Sequence, residues 1–149
     1  MAEEGRMIVE RVQEAILGLW LPQELHLVRP RLEAKGFFRC GDTSMRELFK
    51  IKEDTESIVK VFKSLNHKNR HPNNLLPEAF RFLYLPAHYN SNGITIQPWA
   101  NDFGGTKMQA LEKILKIFAT NSNLKPLDFD VCERNCAFHN GSPYILDYS

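Results

Sequence analysis

Near the end of this sequence, three oxygen-bearing side chains stand at intervals that could hold a metal-bound nucleotide: Asp130, Asn135 five residues on, and Asp147. Between Asn135 and Asp147 runs an apolar stretch interrupted at Asn140-Gly141, a dipeptide that favours a two-residue hairpin turn. A strand, that turn and a second strand ending in an acid can bring all three residues to one Mg-nucleotide. The chemistry they point to is phosphoryl transfer.

Two upstream segments offer groups for the phosphates. Phe37 to Phe49 reads as a strand, a loop and a second strand, and the loop residues Gly41, Asp42, Thr43 and Ser44 carry amides and hydroxyls. Ser57-Ile58-Val59-Lys60-Val61-Phe62 reads as a strand with one lysine in an apolar run. In this order, with Asp130-x₄-Asn135 and Tyr144-Ile145-Leu146-Asp147-Tyr148-Ser149 following, the chain resembles a protein kinase over residues 36–149. It is most similar to the abbreviated form found among bacterial effector kinases.

The resemblance implies ATP and Mg²⁺ as cofactors and a protein substrate or partner. Lys60 would pair with the α- and β-phosphates, Gly41 to Ser44 would cover them, and Asp130 would accept the proton of the substrate hydroxyl. Asn135 and Asp147 would bind the metal. Trp99 lies in residues 98–105, where the family has the hinge that meets the adenine. The sequence also departs from the family pattern. Asp128-Phe129-Asp130 replaces His-Arg-Asp or His-Gly-Asp, Tyr148-Ser149 follows Asp147 in place of Phe-Gly, and Gly41 alone remains of three loop glycines. Between Lys60 and Phe80 the only acid is Glu78, so no helix glutamate can be assigned to pair with Lys60.

The elements that must position these residues give an α+β fold, with an antiparallel-sheet N-lobe and a reduced helical C-lobe carrying the catalytic loop. Ile8, Val12, Ile16, Leu19 and Trp20 predict a helix over residues 7–21 ended by Pro22, and a shorter element over 24–33 broken at Pro30. Together they form an N-terminal extension, residues 1–35, that packs on the lobe. Phe80 to Pro86 and Gly93 to Trp99 read as the fourth and fifth strands, with a hairpin at Tyr89 to Gly93. Met108, Leu111, Ile114, Leu115 and Phe118 predict a helix from Thr106 or Lys107 to about Thr120. The N-lobe then spans about 36–100 and the C-lobe about 106–149.

Nineteen basic and eighteen acidic residues leave a net charge of +1, without the basic footprint of a nucleic-acid binder. The three cysteines, Cys40, Cys132 and Cys136, form no Cys-x-x-Cys pair, which indicates reduced thiols and neither a zinc site nor a disulfide framework. The apolar run over 15–21 is too short for a membrane span, so a cytoplasmic protein is expected, in the producing cell or in a host cell that receives it. Three alternatives stay open. The chain could be a pseudokinase or kinase-lobe mimic that regulates a partner without phosphotransfer. It could be an α+β interaction domain in which Lys60 faces solvent and Asp130 and Asn135 serve a turn. Small-molecule kinases share the Asp-x₄-Asn and Asp spacing, which leaves the acceptor class open.

Overall fold

A computed structural model of the chain describes residues 5–21, 23–43, 45–63, 76–121 and 123–146. The elements are α1 (Arg6–Ile16), α2 (Val28–Ala34), β1 (Phe37–Asp42), β2 (Arg46–Ile51), β3 (Asp54–Phe62), β4 (Tyr89–Ser91), β5 (Ile94–Pro98), α3 (Lys107–Ala119), β6 (Cys136–His139) and β7 (Ser142–Ile145), with short 3-10 turns between them. The chain is mixed α+β and divides into two units. One comprises residues 1–70 and 87–99, the other 71–86 and 100–149.

The N-terminal unit is a five-stranded antiparallel sheet in the order β1-β2-β3-β5-β4, with α1 and α2 sharing its core. Val59 and Val61 of β3 join Ile8, Val12, Val28 and Leu32 in that core, whereas Lys60 between them points to the opposite face, as the period of two requires. The β4–β5 connection is Asn92-Gly93 with φ of 54° and 87°, the positive pair that a type I′ turn demands. Pro30 sits inside α2 without breaking it, because the first turn of a helix needs no donor from that position.

Two expected elements differ. The first helix ends at Ile16, not Leu21: Gly18 takes φ 84°, which closes the helix, and Trp20 beyond it is exposed. Phe80 to Pro86, expected as the fourth strand, begins instead as a 3-10 helix over Glu78–Leu83. The alternation of Phe80 and Phe82 suggested a strand, but Phe80 and Leu83 share the inward face at a spacing of three while Phe82 is exposed. The fourth strand is Tyr89–Ser91, within the stretch expected as a turn.

The C-terminal unit packs α3 against the β6–β7 hairpin around Ile114, Phe118, Phe138 and Ile145. Thr106 begins α3 with a capping box: its hydroxyl accepts from the Gln109 N–H and the Gln109 side chain accepts from the Thr106 N–H. Tyr84 and Leu85 run extended beside β7, where the Leu85 N–H donates to the Ile145 carbonyl at 2.9 Å. Among the described residues no helix is long and apolar enough to cross a membrane.

Candidate functional site

Asp130 and Asn135 belong to one closed loop of the C-terminal unit. A 3-10 turn over Pro126–Phe129 delivers the chain to Asp130, which adopts the left-handed conformation at φ 53° and ψ 43°. Aspartate is one of the few residues that tolerates that region, through its short polar side chain. Asn135 then closes the loop: its side-chain Nδ2 donates to the Asp130 carbonyl at 2.9 Å, and its N–H donates to the Cys132 carbonyl at 3.0 Å. Asn135 is 3% exposed, whereas the Asp130 side chain is 61% exposed. The loop therefore buries its amide and presents its carboxylate.

Two neighbours set the electrostatics of that carboxylate. The Arg134 guanidinium lies 3.4 Å from Asp130 Oδ1 and is itself 82% exposed, and Cys132 Sγ is 3.7 Å from the same oxygen. Behind them, burial pushes the Cys136 thiol up to about 11, with the nearby Cys132 and Asp130 adding to the effect. It stays a neutral thiol near pH 7.

The hairpin after Asn135 turns at Asn140-Gly141, with φ of 52° and 87°. β7 returns so that the Leu146 N–H donates to the Asn135 carbonyl at 2.9 Å. Asp147 is the next residue and lies outside the described residues, as does Ser44. An amide oxygen and a carboxylate are hard donors of the kind Mg²⁺ takes alongside substrate phosphates. Among the described residues no three His, Cys, Asp or Glu side chains gather as a metal cluster.

The segment that begins at Asn101 is held to the same hairpin. Asn101 is the hub: its N–H donates to His139 Nδ1 at 3.3 Å, its Nδ2 to Asn140 Oδ1 at 2.7 Å, and its Oδ1 accepts from the N–H groups of Phe103 and Asn140, each at 3.0 Å. Gly104, at φ 123°, approaches the Phe138 ring so closely that a Cβ would stand 2.7 Å from Cδ1. In the other unit, the Trp99 N–H donates to the Glu56 carbonyl at 2.7 Å, and Lys50 Nζ lies 4.3 Å from the centre of the Trp99 ring.

On the N-terminal sheet, Lys60 and Gly41 occupy one cross-strand row. Gly41 pairs with Leu48, Leu48 with Lys60, and Lys60 with Thr95. A Cβ on Gly41 would stand 3.1 Å from Leu48 Cδ1, so glycine keeps that part of the row low. The loop that follows is a tight turn. The Thr43 hydroxyl accepts from the Arg46 N–H at 2.9 Å and the Thr43 N–H donates to the Arg46 carbonyl at 2.9 Å. Asp42 pairs with Lys63 at 2.5 Å, which holds its carboxyl below the usual range. The groups expected to cover phosphate are thus engaged, Thr43 by Arg46 of the same turn and Asp42 by Lys63 just after β3. An open hollow of about 470 Å³, bordered by Ile16, Trp20, Leu21 and Asn92, touches none of the expected site residues.

Sequence reasoning missed Arg134 and Asn101. Arg134 lies inside the Asp130-to-Asn135 interval, where a cation four residues after an acid on a turn is a recognisable pairing signal. Asn101 precedes Asp102-Phe103-Gly104-Gly105, and an Asn two residues before a glycine-rich bend can accept from the bend's own amides. Compared with family models, curated proteins and solved structures, the chain finds no match.

Proposed function

We propose that this chain is an ATP-dependent phosphotransferase of protein-kinase-like build, acting on a hydroxyl of a partner protein. The observation that carries the reading is the closed loop: Asn135 buried and bonded to the Asp130 carbonyl, with the Asp130 carboxylate left exposed beside it. The row that aligns Gly41 with Lys60 on one sheet face supports the same reading from the other unit.

In this account the acceptor hydroxyl hydrogen-bonds to the Asp130 carboxylate, which orients its oxygen and receives its proton as the new phosphorus–oxygen bond forms. The bond from the γ-phosphorus to its bridging oxygen breaks, and ADP leaves. Lys60 binds the α- and β-phosphates as a point charge. Asn135 and Asp147 would hold Mg²⁺, which when bound neutralises phosphate charge. Incubating the protein with γ-labelled ATP and candidate acceptors should transfer label, and Asp130→Ala should abolish transfer; label transfer undiminished in that variant would refute the assignment.

A second reading is favoured by the β1–β2 turn. With the Thr43 hydroxyl and N–H spent on Arg46 and Asp42 spent on Lys63, that hairpin offers phosphate less than a glycine loop does. A regulatory mimic that binds a partner without transfer accounts for such a turn. It would change the activity of a co-purifying kinase while leaving labelled ATP untouched.

A further inference from the structure

We infer that Asn92 is a modification site of this chain: its side-chain amide cyclises onto the Gly93 nitrogen and is replaced by aspartate and isoaspartate, whereas Asn140, in a turn of the same form, is locked against that reaction. The inference is independent of the phosphotransferase reading. Asparagine is among the thermally labile residues, and a glycine after it leaves the attacking nitrogen unshielded. The Gly93 nitrogen bonds to the Asn92 side-chain carbon and loses its proton to solvent. The carbon–nitrogen bond of the amide breaks, and ammonia leaves. Water then opens the ring at either of its carbonyls, which gives aspartate or isoaspartate. The sequence is a hydrolysis, and no oxidant or reductant enters it.

The two turns agree in what local sequence sets. Asn92-Gly93 has φ of 54° and 87°, Asn140-Gly141 has φ of 52° and 87°, and both asparagines are exposed. They differ in what holds the reacting atoms. At the second turn the attacking nitrogen is engaged, because the Gly141 N–H donates to the Phe103 carbonyl at 2.8 Å. The attacked amide is engaged as well: Asn140 Oδ1 accepts from Asn101 Nδ2 at 2.7 Å, and the Asn140 N–H donates to Asn101 Oδ1 at 3.0 Å. Cyclisation there must break the Gly141 bond and turn the side chain away from Asn101. At the first turn the anchor lies elsewhere, where the Phe62 N–H donates to the Gly93 carbonyl at 2.9 Å. Among the described residues no hydrogen bond reaches the Asn92 side chain or the Gly93 N–H. The consequence falls on β4, the edge strand, which pairs with β5 through Tyr89 and Ile96, Asn90 and Thr95, and Ser91 and Ile94. Turn length fixes that register. Isoaspartate adds a methylene to the main chain of the turn, so conversion puts those pairs out of step and loosens β4.

The test is to hold the folded full chain at mildly alkaline pH and follow the two Asn-Gly peptides by mass spectrometry, with the guanidinium-unfolded chain alongside. In the folded chain Asn92 should convert about tenfold or more faster than Asn140, the factor set by one ordinary hydrogen bond that must first break. In the unfolded chain those bonds are gone, and the two rates should agree within about threefold. The converted protein, separated by its added negative charge, should show faster hydrogen exchange at Tyr89 to Ser91 and unchanged exchange in β2 and β3, as a local opening requires. Equal rates in the folded chain, a faster rate at Asn140, or an Asn92 that stays intact when folded and converts when unfolded would each overturn the inference. So would a preference for Asn92 that persists undiminished in guanidinium, since local sequence and not the hydrogen bonds would then be its cause.

Discussion

The side-chain amide of Asn135 donates to the main-chain carbonyl of Asp130 across 2.9 Å, tying together two residues five apart in sequence. A buried donor is joined to a carbonyl whose residue has a left-handed backbone, so neither end is adjustable without cost. Removing one partner leaves the other unsatisfied in the interior, at about 1–3 kcal/mol. Asn135→Ala should therefore destabilise the C-terminal unit by that amount, lowering its melting midpoint by roughly 3–10 °C. Asn135→Asp should do the same, since it keeps an oxygen for a cation and loses the donor. Thermal denaturation followed by near-ultraviolet circular dichroism would measure both.

Gly104 supplies a second check on the C-terminal unit. Its φ of 123° and the 2.7 Å approach of a Cβ to the buried Phe138 ring leave no place for a side chain. Gly104→Ala should cost about 2 kcal/mol or more, from backbone strain together with overpacking. Gly141 has a positive φ as well, but open space around it. Gly141→Ala should cost less, about 1 kcal/mol, from the turn conformation alone. Urea titrations of the two variants would rank them, and the reverse order would contradict the packing described for residues 101–105.

Cys136 makes stability depend on pH at the alkaline end. Its thiol ionises near 9.0 in the unfolded chain and near 11 when folded. Folding therefore favours the protonated thiol: the contribution is fully present below pH 9 and is lost as pH rises through about 11. That difference corresponds to on the order of 2–3 kcal/mol. Denaturation midpoints should fall across that window in the native chain and fall less in Cys136→Ala. In the same way, iodoacetamide at pH 8 should alkylate Cys136 about 100-fold more slowly in the folded than in the unfolded protein, read by peptide mass spectrometry.

The sequence disclosed the parts of the fold that local chemistry dictates. Asn140-Gly141 announced the β6–β7 hairpin because positive φ at both turn positions favours that dipeptide, and Asn92-Gly93 makes the same turn between β4 and β5. The helix over Lys107–Ala119 followed from its apolar spacing, and the structure adds the Thr106–Gln109 cap that starts it. What stayed hidden depends on longer-range packing. Phe80 and Phe82 alternate as in a strand, yet Tyr84 and Leu85 pair with Ile145, sixty residues away in sequence, and the turn before them coils to meet that pairing. Met108, expected inside, is exposed, while Ala110, too small to register in the periodicity, is buried.

The candidate site was legible to a similar degree. The interval from Asp130 to Asn135 suggested a working pair, and the two residues do meet, but through the Asp130 carbonyl, which no side-chain pattern encodes. The β1–β2 loop could be read only for its residue types. That the Thr43 hydroxyl is spent on the Arg46 N–H follows from the tightness of the turn. Of the stretch between Lys60 and Phe80, where the family carries the glutamate that pairs with the lysine, residues 64–75 lie outside those described, and Glu78, its only acid, stands in the first turn of a 3-10 helix.

Lys60 gives a prediction in the N-terminal unit that separates binding from folding. Its neighbours Val59 and Val61 carry the core, and its own side chain lies on the other face. Lys60→Met leaves Val59 and Val61 in place, so the N-terminal unit should keep its fold, read by far-ultraviolet circular dichroism. Phosphate affinity should fall at least tenfold, measured by competition with a fluorescent ATP analogue. Unchanged affinity would place Lys60 outside the nucleotide site.

The most direct test of the account is a thermal melt of the purified chain with ATP alone, Mg²⁺ alone and both together, run beside Asp147→Asn. A ligand at a hundred times its Kd adds about 2.7 kcal/mol. For a chain of this length that is a rise of roughly 5–10 °C. The account predicts that rise with ATP and Mg²⁺ together, and its loss in Asp147→Asn. No shift with any combination, or an equal shift in the variant, would contradict a metal-nucleotide site built on Asn135 and Asp147.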